Sequence, residues 1–260
     1  MSHLAAKTVR VPGFRHHVSL CIYSQGPYRF CTFRRRHETM ECISDIFWPK
    51  PKAKVCYIEG NVGVGKSETM LELAELLREH GNTVACISQN EEKWAQKGLL
   101  ADMSTDQGRQ LFAAYALLQD HADRANFIAT QSAAFDVVLV ERHPSTVVEV
   151  FDSSEVVNKL FVAIDAISGL LQNPLHTIYL KNTPAVCYAR TVRRGRVEDE
   201  SLLEVVFQDL DHKHEEMLTK RKAMGGNVYV SDALGADSHH HLIASIAASI
   251  GFDTKPPPPM

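Results

Sequence analysis

The sequence predicts an α/β fold in which a five-stranded parallel sheet carries helices on both faces. Five short apolar runs of β character, at 55–58, 83–88, 136–140, 177–180 and 228–230, alternate with stretches whose apolar residues recur at helical spacing. Short buried runs joined by helical connections are the signature of a parallel sheet, whose two faces must both be covered. A chain of 260 residues, 45% of them hydrophobic, is long enough to bury such a core. In open sheets of this kind chemistry collects at the carboxyl ends of the strands.

The amino-terminal 1–50 stand apart. Positions 1–37 hold Lys7, Arg10, Arg15, Arg29, Arg34, Arg35 and Arg36 and no acidic residue. This reads as a basic, disordered extension; a mitochondrial-type transit segment, which is also Arg-rich and acid-poor, is the alternative. The domain proper is expected over 51–252, and the Pro-rich 253–260 form a tail that cannot pack as a helix.

The first strand runs straight into Gly60-Asn61-Val62-Gly63-Val64-Gly65-Lys66-Ser67, a complete G-x-x-x-x-G-K-S pattern. Met70, Leu73, Ala74 and Leu77 follow at helical spacing, so the loop sits between a buried strand and a helix. That context turns backbone N–H groups onto phosphate oxygens, and the reading is a nucleoside triphosphate site. Lys66 is then expected on the β- and γ-phosphates and the Ser67 hydroxyl on Mg²⁺.

Strand two ends at Gln89, followed by Asn90, Glu91, Glu92, Lys93 and Trp94; strand three ends at Glu141-Arg142-His143-Pro144. A carboxylate ending a buried strand beside a phosphate loop is placed to hold Mg²⁺, which makes Glu141 the second metal candidate. Arg142 can bridge the acceptor oxygen and the transferring phosphoryl group. After strand four, Arg190, Arg193, Arg194 and Arg196 precede Glu198, Asp199 and Glu200. Such a cluster suits either an arginine-rich lid closing on a triphosphate or a solvated charged helix. His212 and His214, on a helix with Leu203, Val206, Leu210 and Met217 as its apolar stripe, read as surface or lid-packing residues, and His239, His240 and His241 as a solvated helix start.

Composition narrows the partners. A net charge of −3 argues against non-specific nucleic-acid binding, and no apolar stretch reaches membrane-spanning length. Six scattered cysteines without a C-x-x-C pair suggest reduced thiols in an intracellular, cytoplasmic protein.

Taken together, the loop at 57–67, Glu92-Lys93-Trp94, Glu141-Arg142 and the run Tyr179 to Leu218 resemble the deoxynucleoside kinase family, which includes the herpesvirus-type thymidine kinases. Within that last run Tyr179-Leu180-Lys181, Thr183-Pro184, Tyr188-Ala189-Arg190, Arg194-Gly195-Arg196, Glu198-Asp199 and His214-Glu215 follow the family's lid and the helix after it. The form Glu141-Arg142-His143-Pro144 is closer to the Asp-Arg-His-Pro of herpesvirus thymidine kinases than to the Glu/Asp-Arg-Ser of cellular members. The resemblance implies a P-loop kinase fold and transfer of the ATP γ-phosphoryl to the 5′-hydroxyl of a deoxynucleoside, thymidine first among them, in nucleotide salvage. It implies that Arg190, Arg194 and Arg196 are lid arginines and that Asp199 faces the sugar. Trp94, Phe112, Ala113 and Tyr115 would line the base site, and a homodimer would be the assembly.

Two departures matter. Where the family places a Glu-Pro pair whose Glu is the base, this chain has Gln89-Asn90, and an amide cannot take a proton at neutral pH. Glu91 or Glu92 could substitute. The family's base-reading Gln is replaced by Ala113 or Ala114. A nucleoside monophosphate kinase and a catalytically impaired nucleotide-binding protein are the competing readings.

Overall fold

The computed structural model describes residues 6–9, 18–21, 53–89, 91–99, 105–151, 154–168, 176–195, 203–232 and 236–252. The chain divides into two units, one of residues 51–161 with 174–260 and the other of residues 1–50 with 162–173. In the second, β1 (Ala6–Val9) pairs antiparallel with β2 (Val18–Cys21). For these eight residues pairing stands where the basic extension was expected to be disordered, with β-branched Thr8, Val9 and Val18 suited to a pleated strand. The rest of the extension and the Pro-rich tail lie outside the described residues.

The first unit contains a five-stranded sheet in the order β4-β5-β3-β6-β7, every neighbouring pair parallel. Its strands are β3 (Lys54–Gly60), β4 (Val84–Ile87), β5 (Val137–Glu141), β6 (His176–Lys181) and β7 (Asn227–Asp232). The fold is therefore the expected α/β P-loop kinase type, with each strand within a few residues of the run that foretold it. The helices are α1 (Lys66–Glu79), α2 (Glu91–Gln96), α3 (Asp106–Gln131), α4 (Glu155–Ser168), α5 (Pro184–Arg194), α6 (Glu204–Ala223) and α7 (Ala236–Ser249).

Alternation along the strands sorts the two faces. Cys56, Ile58, Leu139, Ile178 and Leu180 join Met70, Leu73 and Leu77 of α1 and Ile243, Ile246 and Ala247 of α7 in one core cluster. Tyr179 points the other way, into a smaller cluster with Leu210, Met217 and Leu218 of α6 and Val150. Each fully buried aliphatic side chain contributes on the order of 1.5–3 kcal/mol. Polar residues on this second face thus sit in a setting where each needs a partner.

Chain order places the site. The chain leaves β3, runs through α1 to the edge strand β4, returns through β5 between them, and crosses to β6 on the other side of β3. The reversal falls beside β3, so the loop after it opens at the topological switch point. Register sets Ile58 beside Glu141 and Gly60 beside Leu180. The phosphate-loop pattern and the carboxylate ending β5 are neighbours by construction.

Candidate active site

The loop after β3 is shaped by contacts that only glycine permits. A Cβ at Gly60 would lie 2.6 Å from the Leu180 carbonyl oxygen, and one at Gly63 2.4 Å from Thr191 Oγ1 and 2.5 Å from the Cys187 carbonyl oxygen. Both residues have positive φ, 145° and 73°. Asn61 fastens the loop from within: its Nδ2 donates to the Phe207 carbonyl of α6 at 2.9 Å, and its Oδ1 accepts the Val62 N–H at 2.8 Å. Val64 is buried, and Gly65 is the N-cap of α1.

Lys66 and Ser67 open α1, where the helix end favours anions. Lys66 is buried and its Nζ donates to the Asn61 carbonyl at 3.1 Å. Burial, then Arg142, hold its pKa down at about 7, with Arg194 adding to the depression and Glu141 and Glu59 opposing it. Ser67 Oγ donates to Glu141 Oε2 at 3.2 Å. A hydroxyl and a carboxylate so placed fit a Mg²⁺ ion, which takes few protein oxygens and keeps the rest of its shell for water and phosphate. Among the described residues no group of three or more His, Cys, Asp or Glu side chains converges as a metal cage.

Arg142 follows Glu141 with φ of 62°, a left-handed conformation uncommon for a residue with a Cβ. Its N–H donates to the Ile58 carbonyl at 3.0 Å, and its own carbonyl accepts from the Arg124 guanidinium of α3. The guanidinium lies over the Phe151 ring at 4.7 Å, 3.9 Å from Glu59 Oε2 and 3.5 Å from His214 Nε2. Nearby, Arg190 of α5 reaches the phosphate loop, its Nη1 donating to the Val64 carbonyl at 3.2 Å. Arg194, in the last turn of α5, is exposed.

A deoxynucleoside kinase family model matches residues 56–241, well over half of the chain. The chain belongs to the deoxynucleoside kinase family. Membership makes it a nucleoside kinase, and kinases of this family use ATP, typically with Mg²⁺. Comparison with curated proteins found no matching relative.

The structure brings this kinase's Lys66, Ser67, Glu141, Arg142 and Arg190 together at the ends of β3 and β5. Gln89 stands half-buried two residues beyond the end of β4, the strand that pairs with β5. Glu92 lies in α2, and Arg196 and Asp199 fall outside the described residues. Trp94 is buried and meets Phe112 edge-on at 5.1 Å. Its indole Nε1 has no hydrogen-bond partner among the described residues. Ala113 is buried on α3, while half-buried Tyr115 donates its hydroxyl to Gln119 Oε1 at 3.0 Å and also contacts Lys97.

Several site residues carry no local sequence signal. His214 is fully buried, so of the two expected settings, surface or lid-packing, the surface one does not hold. It lies near the Tyr179 and Phe151 rings, and its Nδ1 donates to the Leu210 carbonyl at 2.6 Å, which leaves Nε2 as the acceptor facing Arg142. Burial and then Arg142 press its pKa down to about 3, so the ring is neutral at pH 7. Leu203, expected in the apolar stripe, is exposed; the buried face is Phe207, Leu210, His214, Met217, Leu218 and Arg221. Glu59 is the other addition. Burial alone would raise its pKa, but Arg221, Arg142, the Thr146 hydroxyl and the His143 N–H outweigh that and hold it ionised below the usual carboxylate range.

Proposed function

We propose that the protein transfers the γ-phosphoryl group of ATP to the 5′-hydroxyl of a deoxynucleoside, thymidine first among its substrates, in salvage of DNA precursors. The observation that carries this reading is that Lys66 and the Ser67–Glu141 pair meet at the phosphate loop, with Arg142 held next to Glu141 by its N–H bond to Ile58 of β3. Lys66 and the loop amides would hold the triphosphate, with Arg190, Arg194 and Arg196 closing over it. Ser67 and Glu141 would hold Mg²⁺, which when bound neutralises charge on the phosphates. The 5′-oxygen would form its bond to the γ-phosphorus as the bond to the β,γ-bridging oxygen breaks and ADP leaves, and Arg142 would stabilise the negative charge spread over the equatorial oxygens. Support for thymidine comes from the herpesvirus-like Glu141-Arg142-His143-Pro144, and support for a homodimer from the family resemblance.

A general base contributes about 10²–10⁴-fold, and Gln89 cannot be one. Phosphoryl transfer through a loose transition state depends chiefly on positioning and charge, so the hydroxyl proton can leave late in the reaction, passing to an oxygen of the transferred phosphoryl group or to water. Gln89 also supports a second reading, a family member that binds nucleotide and turns over slowly or not at all.

A panel of deoxynucleosides and nucleoside monophosphates with Mg·ATP tests these readings. The expected result is turnover of one or more deoxynucleosides, thymidine among them. Turnover of monophosphates alone would replace the reading with a monophosphate kinase, and ATP binding without turnover would favour the impaired protein.

A further inference from the structure

We propose that Arg221 and Glu59 are positioning residues that brace the turn Glu141-Arg142-His143 for phosphoryl transfer without touching a reacting atom. The inference rests on the role proposed above for Arg142.

Arg142 is the one non-glycine residue at positive φ among the described residues, and such a conformation persists only where the surroundings over-determine it. The turn is held on each side. Ile58 and Arg124 take the Arg142 N–H and carbonyl, and Glu59 takes the next amide, His143 N–H donating to its Oε1 at 2.8 Å. The same Oε1 accepts Thr146 Oγ1 at 2.6 Å and Arg221 Nη1 at 3.1 Å. Oε2 has no hydrogen-bond partner among the described residues and faces Arg142 Nη1 at 3.9 Å. One carboxylate oxygen therefore fixes the backbone of the turn while the other faces the side chain that the turn presents.

Arg221 ties this carboxylate to everything around it. From the last turn of α6 its guanidinium donates to Thr177 Oγ1 of β6 at 3.3 Å, Ser145 Oγ at 3.2 Å and Thr146 Oγ1 at 3.0 Å, and approaches Glu149 Oε2 at 3.8 Å. Strand β3, strand β6 and residues 145–149 after the turn are thus fastened to one rigid fork. Glu59 and Arg221 are both almost wholly buried. A buried ion pair is an inefficient source of stability, since well-packed apolar residues can do as well. A planar fork with fixed donor directions fixes orientation, which an apolar pair cannot.

Four variants and two readouts test the brace. Thr146→Val removes one hydroxyl, Arg221→Lys keeps charge but loses the fork, Arg221→Met alone leaves the buried Glu59 carboxylate without that partner, and Arg221→Met with Glu59→Gln removes both charges of the pair. The expected outcome is a fall in kcat of about 10-fold or more for Arg221→Lys, with KM for ATP within about 3-fold. The neutral double variant should recover the melting temperature lost by Arg221→Met while kcat stays low. If kcat instead returns with the melting temperature, the network is structural only and the proposal falls. The second readout needs no turnover: the Arg142 Nε–H resonance, assigned with Arg142→Lys, should shift or broaden in Thr146→Val and Arg221→Lys. An unchanged resonance in both overturns the brace. A perturbed resonance in a protein whose wild type phosphorylates no nucleoside keeps the brace and removes the phosphoryl-transfer reading instead.

Discussion

Ser67 Oγ donates to Glu141 Oε2 at 3.2 Å, joining the first turn of α1 to the end of β5. This contact brings the two candidate Mg²⁺ oxygens together. Glu141→Gln keeps the size and an acceptor oxygen but removes the charge a hard cation needs. The Mg²⁺ concentration giving half-maximal turnover should rise about 10-fold or more, with melting temperature little changed. Titration of activity with Mg²⁺ at fixed ATP measures it; an unchanged midpoint would take Glu141 out of the metal site.

Lys66 offers a proton-linkage test. With its folded pKa lowered to about 7 from an ordinary 10.5, the unfolded chain holds a proton that the folded chain has released through that window. Its contribution to stability therefore rises with pH between the two values, because unfolding takes up a proton there. A triphosphate beside the amine reverses the depression, so ATP binding at pH 8 should take up a proton. Calorimetric titration in two buffers of different ionisation enthalpy should give different heats. Identical heats would mean that the amine is already charged before nucleotide arrives.

Sequence and structure agree where the signal is local. The five strands of the parallel sheet were legible because their residues are apolar and flanked by helical patterns, and the loop because Gly60 to Ser67 are contiguous; β1 and β2, in the basic segment, were not. Glu59, His214 and Arg221 were not legible, since their partners lie 84, 72 and 162 residues away in such contacts as His143 N–H to Glu59, Arg142 to His214 and Arg221 to Glu59. A lone Glu in an apolar strand has no periodicity to betray a role. Arg221 sits between Lys220 and Lys222, a basic run with no local sign of burial; the spacing of Leu210, His214, Met217 and Arg221 on one helix face is the available clue. The positive φ of Arg142 leaves no trace in side-chain pattern at all.

Gly63 separates the shape of the loop from its charge. Gly63→Ala would push a methyl group against Thr191 Oγ1 and the Cys187 carbonyl oxygen. The hydroxyl can be removed with Thr191→Ala, but the carbonyl belongs to the backbone of α5 and cannot. Nucleotide affinity should fall by about 10-fold or more, about 1.4 kcal/mol, and the double variant should not restore it. Full recovery in the double variant would assign the constraint to Thr191 alone.

For the proposed lid, Arg190 and Arg194 predict different outcomes. Arg190 donates to the Val64 carbonyl, so Arg190→Ala should loosen the loop and weaken ATP binding. Arg194→Ala should lower kcat much more than it weakens nucleoside binding, because a guanidinium meeting the γ-phosphoryl group gains strength as charge develops. Steady-state kinetics of both variants distinguish them; an unchanged kcat for Arg194→Ala would assign that arginine to a solvated helix face.

The amide at the end of β4 gives the last prediction. Gln89 stands half-buried after a strand that pairs with β5, whose own end carries Glu141 and Arg142. On the reading that Gln89 replaces the family's base, Gln89→Glu restores a carboxylate there, and kcat at neutral pH should rise if that side chain meets the 5′-hydroxyl. Gain of a base adds a limb to the pH–rate profile, with kcat falling below the pKa of the new carboxyl group. Should Gln89→Glu leave kcat flat while Glu92→Gln abolishes it, the base is Glu92 in α2. If neither change matters, no carboxylate from this segment accepts the proton, and Arg142, Lys66 and the lid arginines carry the reaction by stabilising charge on the phosphoryl oxygens.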